Sequence, residues 1–226
     1  KPYPKTQKPE AWQIQNAIAS YVRSLNAFDS QFDEYMRGGK SSLTKEEINL
    51  IALKEFGTER LATIRDIFLF GCYTGLRISD IQKLTPANIF MGFDGGKWLT
   101  VDTVKTGERC NIPLLEPALQ LIEKYSTNPE CLSKGVLFPV RSNQKVNEYL
   151  KEIADLTGIK KKLHFHLSRH TFATTLTLNN GVSLEAVGKM LGQKNIRTTQ
   201  IYAKMSDIRI SDEMSLVKSK LEVLAS

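Results

Sequence analysis

The sequence predicts a mainly α-helical fold with one small antiparallel β-sheet, an α+β class. Three observations carry that expectation. Apolar residues recur at helical spacing through most of the chain after residue 44. Two stretches, KWLTVDTV at 97–104 and RCNIPL at 109–114, alternate apolar and polar residues as half-buried strands do. Between them lies Lys105-Thr-Gly-Glu108, whose glycine suits a hairpin turn.

The elements follow in order. Residues 1–43 stand apart: a Pro/Lys-rich start leads into AWQIQNAIASYVRSL, where Trp12, Ile14, Ala17, Ile18 and Val22 form a helical stripe, and RGGKSS reads as a linker. This segment is expected to be a tethered helix or the remnant of a preceding DNA-binding domain, with residues 44–226 forming the main domain. Thr44-Lys-Glu-Glu47 is a capping box, in which hydroxyl and carboxylate each satisfy a free backbone N–H. Leu61, Ile64 and Phe68 continue a helical face until Thr74-Gly75 interrupts it. Ile78, Ile81 and Leu84 mark a short helix stopped before Pro86, and the hairpin follows. Helices are expected at about 116–125, 143–157 and 166–179, the last ending at Asn179-Asn-Gly181. Leu184, Val187 and Leu191 define another, ended by Gly192, and Met214, Val217, Leu221 and Leu224 stripe a terminal helix.

Composition narrows the function. The 226 residues are 41% hydrophobic and 24% charged, which excludes a disordered tail or a disulfide knot. The net charge of +7 suits a polyanionic partner, although enzymes of other kinds also reach it. Cys72, Cys110 and Cys131 are scattered and odd in number, as in a reducing, cytoplasmic setting, and they argue against a structural zinc. The longest apolar run, near Ile67–Tyr73, is too short to cross a bilayer. The first ten residues lack the apolar stretch of a signal peptide. The chain begins with Lys rather than Met, and it reads as a fragment of something longer.

All three histidines fall within His164-Phe-His166-Leu-Ser-Arg169-His170. His166 and His170, four apart, could share a metal, but the permanent cation Arg169 stands between them and no Glu follows His166. His170 reads first as a core histidine. His166 and Arg169, three apart, lie on one helix face and could aim an imidazole and a guanidinium fork at one phosphate. Taken singly, Arg77 could be a salt-bridge partner of Asp80, Lys105 a solvated turn lysine and Tyr202 a half-buried amphipathic tyrosine.

Together these residues form a known pattern. TGLRISDIQKL, VKTGERCNIPL, HLSRHTFATTL and LGQKNIRTTQIYAK resemble, in order, the four motif blocks of the tyrosine recombinase (integrase) family. The likeness spans about residues 43–210 and is strongest to integrases of phages and other mobile elements. It implies the tyrosine recombinase catalytic-domain fold. It makes Arg77 and Arg169 the clamp on the scissile phosphate, Lys105 the hairpin lysine, His166 the histidine of the His-x-x-Arg block, and Tyr202 the nucleophile. One position departs: the block commonly reads Leu-Gly-His or carries Trp, and here it is Leu191-Gly192-Gln193. A Gln amide can donate a hydrogen bond but cannot carry charge, so some loss of rate is expected at Gln193. Asp80 and His170 fall behind the site, Asp80 as the orienter of Arg77.

The implied function is site-specific strand cleavage and rejoining in double-stranded DNA through a 3′-phosphotyrosine, with no metal and no cofactor. Two arginines would stabilise the equatorial oxygens. Lys105, on a mobile hairpin tip, would protonate the leaving 5′ oxygen, and His166 would act as base or charge stabiliser. The resemblance further implies a homotetramer on DNA, a monomer alone, and weak DNA binding by this chain without an N-terminal clamp domain. Rival readings are a non-catalytic DNA-binding relative, a topoisomerase-like relaxing enzyme and, remotely, a metal-dependent hydrolase.

Overall fold

The computed structural model describes residues 42–193 together with 214–215. The helical stripe at 12–22, Tyr202 and the terminal stripe beyond Met214 lie outside the described residues. Met214 and Ser215 themselves are helical and exposed.

Helix α1 (Lys45–Leu53) begins at the expected capping box, with Glu47 N–H donating to Thr44 Oγ1 at 3.2 Å and Thr44 N–H donating to Glu47 Oε2 at 2.7 Å. Helix α2 (Glu59–Thr74) is the axis of the domain: Ile64, Ile67, Phe68, Phe70 and Cys72 are all buried on it. Gly75 stops it in the left-handed region (φ 70°), which only glycine enters at little cost. Helix α3 (Ile78–Ile81) follows after two residues. A 3-10 turn (Pro86–Asn88) leads to β1 (Ile89–Met91), β2 (Lys97–Asp102) and β3 (Arg109–Pro113), an antiparallel sheet in that order. The register pairs Leu99 with Ile112 and Val101 with Cys110, and all four side chains are buried on one face.

Helices α4 (Glu116–Tyr125), α5 (Pro129–Lys134) and α6 (Asn143–Thr157) precede α7 (Phe165–Thr171). A π-helical segment (Phe172–Thr177), a 3-10 turn (Leu178–Asn180) and α8 (Leu184–Met190) complete the described fold. Helix α2 packs on α4, α6 and α7. Its approach to α7 is close enough that a Cβ on Gly71 would lie 2.6 Å from Ser168 Oγ. A buried carboxylate, Asp66, joins α2 to α4 by accepting from Arg65 Nε, Lys124 Nζ and Tyr125 Oη. Where the chain enters the domain, Leu43 N–H donates to Thr171 Oγ1 and Thr175 Oγ1 donates to the Leu43 carbonyl. The entering strand is thereby tied to the α7 helical run.

The structure departs from the sequence expectations in three places. The run expected as one helix over 166–179 keeps its extent but changes character at Phe172. There Thr174 and Thr177 hydroxyls donate to the carbonyls of His170 and Ala173, competing with the regular ladder as threonines do. Strand β1 was not expected, because Phe90 and Met91 are both exposed and leave no alternation to read. Helix α5 was missed because six residues with only Cys131 buried make no stripe. Among the described residues, no helix is long and apolar enough to cross a membrane.

Candidate active site

The site grows from the ends of three elements. Helix α2 ends at Gly75, and two residues later Arg77 takes extended backbone at the N-cap of α3. Helix α7 carries His166 and Arg169 one turn apart. Helix α8 ends at Met190, and Leu191, left-handed Gly192 (φ 60°) and Gln193 follow.

Arg169 joins two of these ends. Its side chain is only 2% exposed, and its guanidinium donates from Nη1 to the Gly75 carbonyl (2.7 Å) and from Nη2 to the Leu191 carbonyl (2.6 Å). Those carbonyls belong to chain ends that have run out of helical partners, so a fixed cation satisfies them well. Each carbonyl lies two residues before a further candidate, Arg77 after Gly75 and Gln193 after Leu191. Space at this junction is tight: a Cβ on Gly75 would fall 2.4 Å from Phe172 Cδ1 and 2.8 Å from Leu191 Cδ2.

Arg77 is half-buried, and its Nη1 is buried without a hydrogen-bond partner. An orphaned buried donor costs about 1–3 kcal/mol, so it points to a ligand that completes it. His166 is exposed. Desolvation of its inner edge, then the charges of His170, Arg169, His164 and Arg77, hold its pKa well below 6.5. These causes favour the neutral imidazole over the charged one. His170 is buried behind it, ring edge against ring face, with centroids 4.8 Å apart.

The β2–β3 hairpin closes the remaining side. Lys105 is exposed, but the residues on either side of it are tied down. Val104 N–H donates to Asp80 Oδ1 at 2.9 Å, and Thr106 Oγ1 donates to the Gly192 carbonyl at 3.0 Å. The hairpin is therefore bonded on both sides of Lys105, and Asp80, 1% exposed, supplies one of the acceptors. Cys110 lies beneath: burial pushes its thiol up to about 11, and Arg169, Asp80 and Arg77 all act on its charge.

Arg77, Arg169 and His166 are thus near enough to act on one another's charge, and the hairpin that carries Lys105 is bonded to Asp80 and to the Gly192 carbonyl beside Gln193. Tyr202 lies outside the described residues. Sequence reasoning missed the carbonyls of Gly75 and Leu191 as the partners of Arg169, and the threonines at 103 and 106. A glycine two residues before Arg77, another directly before Gln193, and a Thr-x-x-Thr bracket around the lysine were the available signals.

Comparison with known proteins bears on this arrangement. The model of the phage integrase family matches residues 42–209, which is most of the chain. The chain belongs to the phage integrase family. A curated relative, tyrosine recombinase XerD of Halalkalibacterium halodurans, is 31% identical over 186 residues, covering 76% of this chain and 59% of the relative. The chain therefore spans little more than half of that relative's length. A tyrosine recombinase of Thermosipho africanus is 26% identical across 85% of this chain and 73% of its own. Among solved structures, the XerH site-specific recombinase bound to difH substrate superposes with TM-score 0.61 at 19% identity, over 77% of this chain and 54% of that one. At that identity the likeness is one of fold. The integrase match includes position 202, which lies outside the described residues.

Proposed function

We propose that this protein is a site-specific DNA recombinase that cleaves and rejoins strands through a 3′-phosphotyrosyl intermediate. The observation that carries the reading is Arg169, fixed before any substrate arrives between the carbonyls that precede Arg77 and Gln193. A fork so held, beside the unpartnered Nη1 of Arg77, suits an anion whose charge spreads over equatorial oxygens as it reacts.

In this reading the Tyr202 oxygen attacks phosphorus and its proton passes to neutral His166. The bond from phosphorus to the 5′ oxygen breaks, and that oxygen takes a proton from Lys105 Nζ. The products are a tyrosyl phosphodiester and a free 5′-hydroxyl, and attack by another strand's 5′-hydroxyl reverses the step. No nucleotide is consumed. Gln193 supplies a neutral donor to one phosphoryl oxygen. The net charge of +7 supports a DNA partner, with binding that weakens steeply as salt rises. Assembly as a tetramer on DNA belongs to the same proposal.

The test is covalent capture. Nicked duplexes of random sequence are incubated with the whole protein, and strands left attached after denaturation are amplified. The expected result is a recurring sequence captured by wild type and not by Tyr202→Phe. Equal capture by that variant, or none by wild type under conditions where DNA binds, would overturn the proposal.

A further inference from the structure

Lys105 reaches the site on a hairpin whose hold depends on a neighbouring hydroxyl. Thr106 Oγ1 donates to the Gly192 carbonyl at 3.0 Å, and it is also bonded to Thr103 Oγ1. A hydroxyl has one proton to give. With the Thr106 proton committed to Gly192, the Thr103 proton is shared between Thr106 Oγ1 and the Glu108 carbonyl at 3.1 Å. The two threonines thus form a directed chain across the turn, from Thr103 through Thr106 to the peptide that leads into Gln193.

Two further features fit this link. Gly192 approaches the hairpin so closely that a Cβ there would lie 2.5 Å from Cys110 Sγ and 2.9 Å from Thr103 Cγ2. Its backbone is left-handed, so the carbonyl is presented by a residue that only glycine suits. On the other side of the lysine, Val104 N–H is held by Asp80. The hairpin is consequently tied on both sides of Lys105, whose own side chain is exposed.

We infer that Thr106 is a positioning residue for the proton transfer proposed for Lys105, acting by hydrogen-bonding the hairpin to the Gly192 carbonyl. The inference rests on the function proposed above. Its chemical consequence is specific. If Thr106 matters because it places the lysine ammonium at the leaving oxygen, its loss will matter only when that oxygen needs a proton. A 5′-bridging sulfur leaves as a thiolate and needs none. With such a substrate, the bond from phosphorus to sulfur breaks and the thiolate departs unprotonated, while the tyrosyl bond forms as before.

The experiment compares wild type, Lys105→Ala, Thr106→Val and Thr106→Ser on a captured duplex in two forms, with oxygen or sulfur at the 5′-bridging position. Thr106→Val is expected to slow cleavage about tenfold on the oxygen substrate, in keeping with the loss of one neutral hydrogen bond. On the sulfur substrate it should stay within about twofold of wild type, and Thr106→Ser should restore the oxygen rate. Lys105→Ala should show the same pattern with a larger effect. Equal slowing of Thr106→Val on both substrates, no slowing on either, or failure of serine to restore the rate would overturn the inference. If Lys105→Ala is not rescued by sulfur, or wild type forms no adduct, the parent reading fails and this one falls with it.

Discussion

Arg169 and Lys105 are two cations in one site, built in opposite ways. Arg169 is buried and locked by its own guanidinium to two carbonyls of the scaffold. Lys105 is exposed, and only its neighbours' backbone and hydroxyl are tied. The difference follows from what each group must do in the proposed reaction. Stabilising charge on an equatorial oxygen demands a donor already in place, since any reorganisation would be spent at the moment of reaction. Delivering a proton demands a group that can reach, give and withdraw. Rigidity is therefore placed in the arginine itself, and for the lysine it is placed one residue away.

The largest effect that tests this contrast is loss of Arg169. Arg169→Ala removes a charge from the phosphate and leaves two buried carbonyls unsatisfied, at about 1–3 kcal/mol each. Cleavage should fall by about 10³–10⁵, as for other arginines acting on phosphoryl groups. The urea midpoint should fall with it. Arg169→Lys should recover little of either, because an ammonium cannot span both carbonyls with the fork geometry. An Arg169→Ala protein as stable as wild type would show that the scaffold does not depend on the bridge.

Lys105→Ala sets the opposite limit. Cleavage should slow by about 10²–10⁴, while the unfolding curve should superpose on that of wild type because the side chain is exposed. A matching loss of stability would erase the distinction between the two cations.

The smallest effect concerns the histidines behind them. Desolvation and nearby cations lower His164 and His170 to about 4, beneath the ordinary value of 6.5. Groups with depressed folded values leave the unfolded chain binding more protons. Their contribution is thus fully present above about 6.5 and is lost as pH falls from there towards about 4. Denaturant midpoints should decline between pH 7 and pH 5, less steeply in His170→Gln. A flat profile over that range would mean that these rings gain charge freely in the fold.

Much of this was legible in the sequence because it rests on local rules. The capping box at Thr44 and Glu47, the helix stop at Gly75 and the two hairpin strands each follow from a few adjacent residues. The candidacy of Arg77, Lys105, His166 and Arg169 for one site was legible only as a pattern of motif blocks. The bonds that hold Arg169 and the hairpin were not legible at all. The partners of Arg169 lie 94 and 22 residues away, and they are backbone carbonyls, which carry no residue identity to read. The bond from Val104 N–H to Asp80 was equally hidden, because 24 residues separate the two. Strand β1 escaped for a simpler reason, since three residues with two apolar side chains in solvent have no pattern.

The central claim is that these side chains meet at one phosphorus atom, opposite Tyr202. Orthovanadate, which takes five-coordinate geometry between a tyrosine oxygen and a 5′-hydroxyl, can hold that arrangement in a crystal with nicked duplex DNA. The account predicts Tyr202 Oη bonded to vanadium, with nitrogen atoms of Arg77, His166, Arg169 and Gln193 about 3 Å from its oxygens and Lys105 Nζ beside the leaving oxygen. A vanadate bound elsewhere, or a bound complex in which Arg169 keeps its carbonyls while Arg77 and Lys105 point away from the metal, would contradict it.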